Sequence, residues 1–411
     1  MALNIVWFAF FAIALAVACV KFTVTGDAQI FRVLGEGVFD AAKTSITDVA
    51  FPLAGAMIFF LGLLNIGEKA GIVHRLSRLL GPFFRRLFPG VPKDHPATGH
   101  MIMNFSANML GLDNAATPFA LKAMDSLQTL NPEKDRATDA QLMFLVLHTS
   151  GLTLIPLTAI AFRASQGSLE PASIFVPCAL ATVSSTIMSI LVMTVVQRIR
   201  IDWVLALGLF CLAGAVAGLL VVVSQMGEAQ RNTFSQVSGN LLLLVLIVGF
   251  LTAGLVKKVP LFDAFVEGAK EGWGIVVRIM PYLVGMLVGI RLFRDSGALQ
   301  YVVDGITWGV GHLGINTDFT PALPVALMRP FSGSGSRAMM LDVMQHYTPD
   351  SFPGKLATIM QNSAETTFLI IAMYFGSVGI KKVRYAVWAG LLADFLGVIC
   401  AIVIAYIFFH T

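Results

Sequence analysis

Two stretches of this chain, residues 203–224 and 238–256, contain almost nothing polar. Each is close to the roughly 20 residues that carry a helix across about 30 Å of hydrocarbon. Backbone in that medium finds no water, so it must satisfy its own N–H and C=O groups, which only helices and closed barrels do. The runs are continuous rather than alternating, and that selects helices. The rest of the 411 residues agrees: 56% are hydrophobic and 13% charged, against about 25% charged in a soluble domain. The expected fold class is therefore all-α, a polytopic membrane protein.

Nine full crossings are predicted, over about residues 2–20, 49–66, 139–162, 172–196, 203–224, 238–256, 277–293, 355–377 and 385–409. Residues 2–20 read as a retained helix, because their start has no Lys or Arg and no small-x-small cleavage site is evident. Segments 99–126 and 320–346 are apolar but interrupted by Gly, Pro, Asn and Ser. They are predicted to be re-entrant hairpins, since irregular backbone at membrane depth must be covered by protein or line a wet cavity. Residues 72–90 are amphipathic and basic (His74, Arg75, Arg78, Arg85, Arg86) and should lie along the interface. Cys19, Cys178, Cys211 and Cys400 all sit in apolar sequence without pairing or metal-ligand spacing, so they read as small hydrophobes and no metal site is expected.

The sequence reads as one unit written twice. Val38-Phe39-Asp40-Ala41 opens the first copy and Leu261-Phe262-Asp263-Ala264 the second; each continues through an internal proline (Pro52, Pro281), a glycine (Gly71, Gly297), an interrupted hairpin and a crossing with a polar centre. The halves expected are 1–200 and 201–411, with the linking helices near the boundary. With the amino terminus in the cytoplasm, most of the 28 Lys and Arg fall on cytoplasmic segments, as the positive-inside rule asks. An odd number of crossings then separates Phe39 from Phe262, which inverts the second copy. Inverted repeats with broken helices at mid-membrane are an architecture of secondary transporters. The net charge of +4 is spread over loops and gives no nucleic-acid footprint.

Candidate residues follow from cost, because a polar side chain deep in lipid is expensive and usually functional. Hairpin one holds Asn104, Asn108, Asp113, Asn114, Thr117 and Pro118, with Gly111 allowing a tight tip. Pro118 is expected at the start of the second limb, where a missing N–H costs nothing. Asn108, Asp113, Asn114 and Thr117 are predicted to bind solute, unless the break only satisfies its own freed backbone. Hairpin two holds Ser332, Ser334 and Ser336 among glycines, flanked by Arg329 and Arg337. A guanidinium fork suits carboxylate or phosphate. The alternative is that each Arg pairs internally with Asp113, Glu365 or Asp342. The polar-centred crossings add His148, Ser150 and Thr153, then Gln361, Asn362, Ser363, Glu365 and Thr366. On one continuous helix Asn362, Glu365 and Thr366 would share a face. Gln361 and Asn362 are expected to meet solute. Glu365, Ser363, Thr366, His148, Ser150 and Thr153 are expected to couple sodium or a proton. No nucleophile elbow or paired membrane aspartates are present, so catalysis is not expected.

At these residues the chain resembles a known family. Met109-Leu-Gly-Leu-Asp-Asn-Ala-Ala-Thr-Pro-Phe-Ala-Leu-Lys-Ala-Met124 resembles the signature of spore maturation protein A. Arg329-Pro-Phe-Ser-Gly-Ser-Gly-Ser336, Glu365-Thr-Thr-Phe368 and Tyr374-Phe-Gly-Ser-Val-Gly-Ile-Lys-Lys382 resemble spore maturation protein B. The resemblance covers nearly the whole chain, as one fused polypeptide with an A-like and a B-like half. It implies a place among the nucleoside-recognition, or Gate-domain, membrane proteins, which are akin to concentrative nucleoside transporters and to the membrane part of ferrous-iron transporters. In the nucleoside transporters, re-entrant hairpins and broken helices bind nucleoside and sodium. Asn114, Thr117, Asn362, Ser363 and Glu365 are the nearest counterparts by position.

The expectation is a bacterial inner-membrane secondary transporter, coupled to sodium or protons, for a small polar or anionic solute, nucleoside-like or cell-wall-related. Its partners would be the bilayer and that solute, with no resident cofactor; a second copy of the chain stays open. The alternative is a non-transporting component of envelope or spore maturation.

Overall fold

Every regular element among the described residues is helical, and one isolated bridge joins Arg136 to Lys382. The structure is a computed structural model that describes residues 2–92, 95–111, 113–312, 314 and 316–410; for 2–6, 113–115, 228, 278, 279 and 282 it describes the backbone alone. The side chains of Asp113 and Asn114, two expected solute ligands, lie outside the described residues.

The chain opens with α1 (Ala2–Thr25) and α2 (Gln29–Thr44); a π-helical turn at Ser45–Ala50 then carries α2 straight into α3 (Phe51–Lys69). Pro52 sits beside that shift, having no N–H to donate to the preceding turn. The basic amphipathic segment is α4 (Ile72–Leu87), and the first hairpin is α5 (Pro96–Met109) with α6 (Asp113–Thr129). Next come two short helices, α7 (Asp139–Thr149) and α8 (Leu157–Ser165), and four long ones: α9 (Phe175–Val196), α10 (Trp203–Ser224), α11 (Glu228–Val256) and α12 (Leu261–Asp295). The chain continues through α13 (Ala298–Gly311), the second hairpin of α14 (Leu323–Met328) and α15 (Gly333–Tyr347), the short pair α16 (Phe352–Asn362) and α17 (Thr367–Ser377), and α18 (Ala386–Phe409).

Six stretches among the described residues are long and apolar enough to cross a bilayer: Trp7–Thr25, Gln29–Lys69, Pro171–Val196, Trp203–Ser224, Ala229–Val256 and Ala386–Phe409. Phe210, Leu244, Val248 and Phe395 point outward from these rods, as expected where lipid replaces water. Two sequence expectations need correction. The crossings expected over 139–162 and 355–377 are not continuous; each is two short helices joined by non-helical backbone. Pro118 also lies inside α6 rather than at its start.

α3 and α12 run antiparallel, with Asn65 donating to the Ala264 carbonyl at 2.7 Å. Their backbones nearly touch. A Cβ on Gly268 would fall 2.5 Å from the Leu61 carbonyl, and one on Gly272 2.8 Å from that of Met57. Small residues permit this approach, and dispersion across it holds membrane helices together.

The short pairs α7–α8 and α16–α17 lie side by side in opposite directions and are tied at both ends. At one end Lys381 and Lys382 N–H groups donate to the Asp135 carbonyl at 2.9 and 2.8 Å, and Ala137 N–H to the Lys382 carbonyl at 3.1 Å. The Lys382 ammonium bonds the Asp135 side chain and holds its carboxyl below the usual range. At the other end Arg163, fully buried, pairs with Asp350 at 2.6 Å and donates to the Pro349 carbonyl at 2.5 Å. Burial pushes the Asp350 carboxyl up, but bonds from Ser168 Oγ and Leu169 N–H, with the Arg163 charge, pull it below its ordinary value.

Candidate functional site

The first break spans Ser150 to Pro156. Two local features cause it: Gly151 takes a left-handed conformation (φ +63°), and Pro156 has no N–H. Hairpin one rests on this break. Leu154 N–H donates to the Met109 carbonyl at 2.9 Å. Gly111, also left-handed (φ +73°), forms the tip, and a Cβ there would lie 2.9 Å from the Ile155 carbonyl. Inside the hairpin Asn104 donates to the Ala116 carbonyl at 2.8 Å. His148 Nδ1 lies 3.0 Å from Asn108 Nδ2 and 3.2 Å from Asn104 Oδ1. His148 is thus fastened to the hairpin by the two asparagines. Thr117, also predicted as a ligand, is exposed on α6.

The second break, Ser363 to Thr366, has neither glycine nor proline. It is held from outside. Arg329 Nε donates to the Ala364 carbonyl at 2.7 Å and Nη2 reaches the same oxygen. Phe368 N–H donates to the Pro330 carbonyl at 3.1 Å. Hairpin two therefore grips this break as hairpin one grips the first. Ser332 caps α15, accepting from Gly335 N–H at 2.9 Å, and its hydroxyl lies 3.2 Å from that of Ser334. Ser336 is fully buried, its hydroxyl 2.7 Å from the Val325 carbonyl and 2.5 Å from Gln361 Oε1, with one proton to share between them. These serines build the hairpin and its seam with α16. Because α16 stops at Asn362, the shared helical face expected for Asn362, Glu365 and Thr366 does not exist; Glu365 and Thr366 stand in the break.

The two breaks cross. Glu365 N–H donates to the Thr149 carbonyl at 2.8 Å, and a Cβ on Gly151 would come within 3.1 Å of the Ala364 carbonyl carbon. A carbonyl freed by the first break thus accepts from an N–H freed by the second, one way in which broken helices persist without water. Beside the crossing is a cavity of about 50 Å³, lined among others by Gly111, Thr153, Arg329, Arg337, Asn362 and Glu365. Arg329 is nearly buried and pairs with Glu365 at 3.3 Å. The Arg337 guanidinium makes no hydrogen bond or ion pair with the other described residues while lining the same cavity. The Asn362 amide nitrogen is buried there without a partner among them. Described groups thus bring two guanidiniums, one carboxylate and a spare amide donor to one small space, an arrangement suited to an anion or a multiply accepting polar group.

Of the six residues expected to couple an ion, most are otherwise engaged. Ser150 donates to the Leu147 carbonyl at 2.6 Å and meets Thr186 at 2.9 Å; Ser363 donates to the Met360 carbonyl at 3.0 Å; Thr153 donates to the Gly151 carbonyl at 3.2 Å. Glu365 and the backbone beside it remain at the cavity. One carboxylate was overlooked. Asp394, 5% exposed on α18, accepts from Thr367 Oγ1 at 2.6 Å, and its other oxygen has no partner among the described residues. A lone acid in the apolar run 386–409 was the available signal.

The molecule is thus an all-helical, multi-pass membrane protein in which two helical hairpins close on two crossed, broken helices. The chain belongs to the Gate family, described as nucleoside recognition, whose model matches residues 50–166 and 276–381 and so takes in both hairpins and both breaks. It is similar to spore maturation protein B of Bacillus subtilis (strain 168), 46% identical over 165 residues, covering 40% of this chain and 91% of that protein. It is also similar to spore maturation protein A of the same organism, 39% identical over 189 residues, covering 46% of this chain and 92% of that protein. Two relatives each matched nearly in full by part of one chain are consistent with a fusion. No solved structure matches.

Proposed function

We propose that the chain is an inner-membrane secondary transporter, driven by sodium or protons, for a small polar or anionic solute. The cavity at the crossing of the two breaks carries this reading: its described walls hold an excess of positive charge and an unpaired amide deep in an apolar protein, and groups so costly to bury are usually kept for a ligand. Arg337 and Asn362 would meet the solute. Glu365 would bind the coupling ion and, on doing so, release Arg329, with Asp394 as a second carboxylate behind the break. The family's description supports a nucleoside-like solute; the arginines support an anionic one, such as a cell-wall precursor.

On this reading the hairpins are re-entrant and the halves are inverted repeats, with nine crossings and a cytoplasmic amino terminus. In support, a hairpin followed by a broken pair occurs twice, and the two pairs run antiparallel. A 50 Å³ space admits a few waters, whereas ligand pockets are about 300–1,000 Å³. The conformation is therefore occluded, and loading requires a hairpin to part from its break.

The test begins with thermal shifts of the purified chain against nucleosides, amino acids and cell-wall precursors, with and without sodium, and continues with uptake of any hit into proteoliposomes. Uptake should need an ion gradient and be lost in Glu365→Gln and Arg337→Gln. Uptake unchanged in both variants would overturn the assignment. A second reading, a non-transporting component of envelope or spore maturation, is favoured by the pairing of Arg329 with Glu365 and by the small cavity. It predicts no solute-induced shift and no cation dependence.

A further inference from the structure

A larger cavity, about 780 Å³, lies away from the crossed breaks, where α4 and α9 end and α10 begins. Four arginines line it: Arg85 and Arg86 from the last turn of α4, and Arg198 and Arg200 from the link between α9 and α10. One acid faces them, Asp202, and it is committed twice: it accepts from Leu205 N–H at 3.0 Å as the cap of α10 and pairs with Arg86 at 2.9 Å. Arg85, Arg198 and Arg200 make no ion pair among the described residues. Three guanidiniums with no ion-pair partner among the described residues stand around one concavity and repel each other, and an anion entering it relieves that repulsion.

The position of the cavity selects the kind of anion. Two membrane-length helices terminate at its rim, at Val196 and Trp203, which is the depth of lipid headgroups. Trp203 is 75% exposed beside it, and α10 turns apolar side chains such as Leu207 and Phe210 outward; an exposed Trp at a helix end marks the headgroup level. The wall is not wholly polar: Phe84, Phe88, Met101, Ile102 and Val204 contribute to it. A phosphate on the arginines with hydrocarbon against this wall satisfies both surfaces. We propose that this cavity binds the phosphate of an anionic membrane phospholipid, with the guanidinium forks of Arg85, Arg198 and Arg200 as its principal donors.

The experiment uses the purified full-length chain in detergent with phosphatidylcholine alone or with added phosphatidylglycerol. Native mass spectrometry counts retained lipid, and a melting curve reads stabilisation. The wild type should retain phosphatidylglycerol in preference to phosphatidylcholine and melt higher with it. The triple variant Arg85→Gln, Arg198→Gln, Arg200→Gln should retain it about 10- to 100-fold less well, given what each basic residue contributes near a charged membrane. Its melting in phosphatidylcholine alone should be no lower than that of the wild type, because the three side chains are exposed and their mutual repulsion is gone. A charge-matched control, Arg75→Gln, Arg78→Gln, Lys257→Gln, should behave as wild type. Equal retention by wild type and triple variant, or equal loss in the control, overturns the proposal. Stabilisation by inorganic phosphate or glycerol phosphate equal to that by the lipid also overturns it, in favour of a site for soluble anions.

Discussion

Arg329 and Arg337 flank the same serine-rich turn and line the same cavity, but their surroundings give them different roles. Arg329 is 6% exposed, bonds the Ala364 carbonyl and pairs with Glu365. Removing it leaves a buried carbonyl unbonded and a carboxylate without its partner, so Arg329→Met should lower unfolding stability by about 3 kcal/mol. Arg337 has no such partner among the described residues, so Arg337→Gln should change stability by no more than about 0.5 kcal/mol while abolishing solute-induced stabilisation. Melting curves of both variants, with and without solute, check this. A destabilised Arg337 variant, or an Arg329 variant as stable as wild type, would show that the roles are reversed. Sequence showed that two arginines were in a costly place, but not which one was already taken, because the partner that decides it, Ala364, offers a backbone oxygen that no residue pattern reveals. Asp394 is a different omission. Asp394→Asn keeps the shape and can still accept from Thr367, so it should fold normally and weaken the ion dependence of uptake. If that dependence is untouched, Asp394 is only a structural partner of Thr367.

At the scale of elements, the two breaks explain what could be read and what could not. Gly151 and Pro156 announce the first, one by a left-handed turn and the other by a missing donor. The second contains Ser-Ala-Glu-Thr, a sequence with no obligate helix breaker, and it is opened by Arg329, Pro330 and Thr149 reaching in from other elements. Tertiary hydrogen bonds outcompete local propensity there, so periodicity predicted a continuous helix and a shared face that do not form. The hairpins, the amphipathic α4 and the membrane-length rods were legible because hydrophobic run length and interruption govern them directly. The close seam of the breaks is testable at Gly151. Its φ of +63° costs a residue with a Cβ about 1–2 kcal/mol, and the Cβ would also press on Ala364. Gly151→Ala should therefore lower stability by at least about 1 kcal/mol, and melting measurements showing no loss would mean that the breaks are not in fixed contact.

At the scale of the whole molecule, the antiparallel broken pairs are tied together at both ends as well as at their crossing. Asp135 and Lys382 strap one end, and Arg163 with Asp350 locks the other. On the proposed reading this makes the crossed pairs the frame and leaves the hairpins as the parts that move. The lock at Asp350 has a definite pH signature. Its carboxyl titrates below its ordinary value in the folded chain, despite burial, because Ser168, Leu169 and Arg163 favour the charged form. In the unfolded chain the group titrates near 3.9. A depressed folded value means that the unfolded state binds the proton more readily, so the contribution to stability is fully present above about pH 4 and is lost as pH falls through the folded value. Asp350→Asn removes this titration. The melting difference between wild type and variant should therefore be constant from neutral pH down to about 4 and should narrow below it. Taking the difference cancels Asp135 and every other carboxyl common to both proteins. A difference that stays flat under acid, or widens, would mean that the Arg163–Asp350 pair does not tie the two broken pairs together.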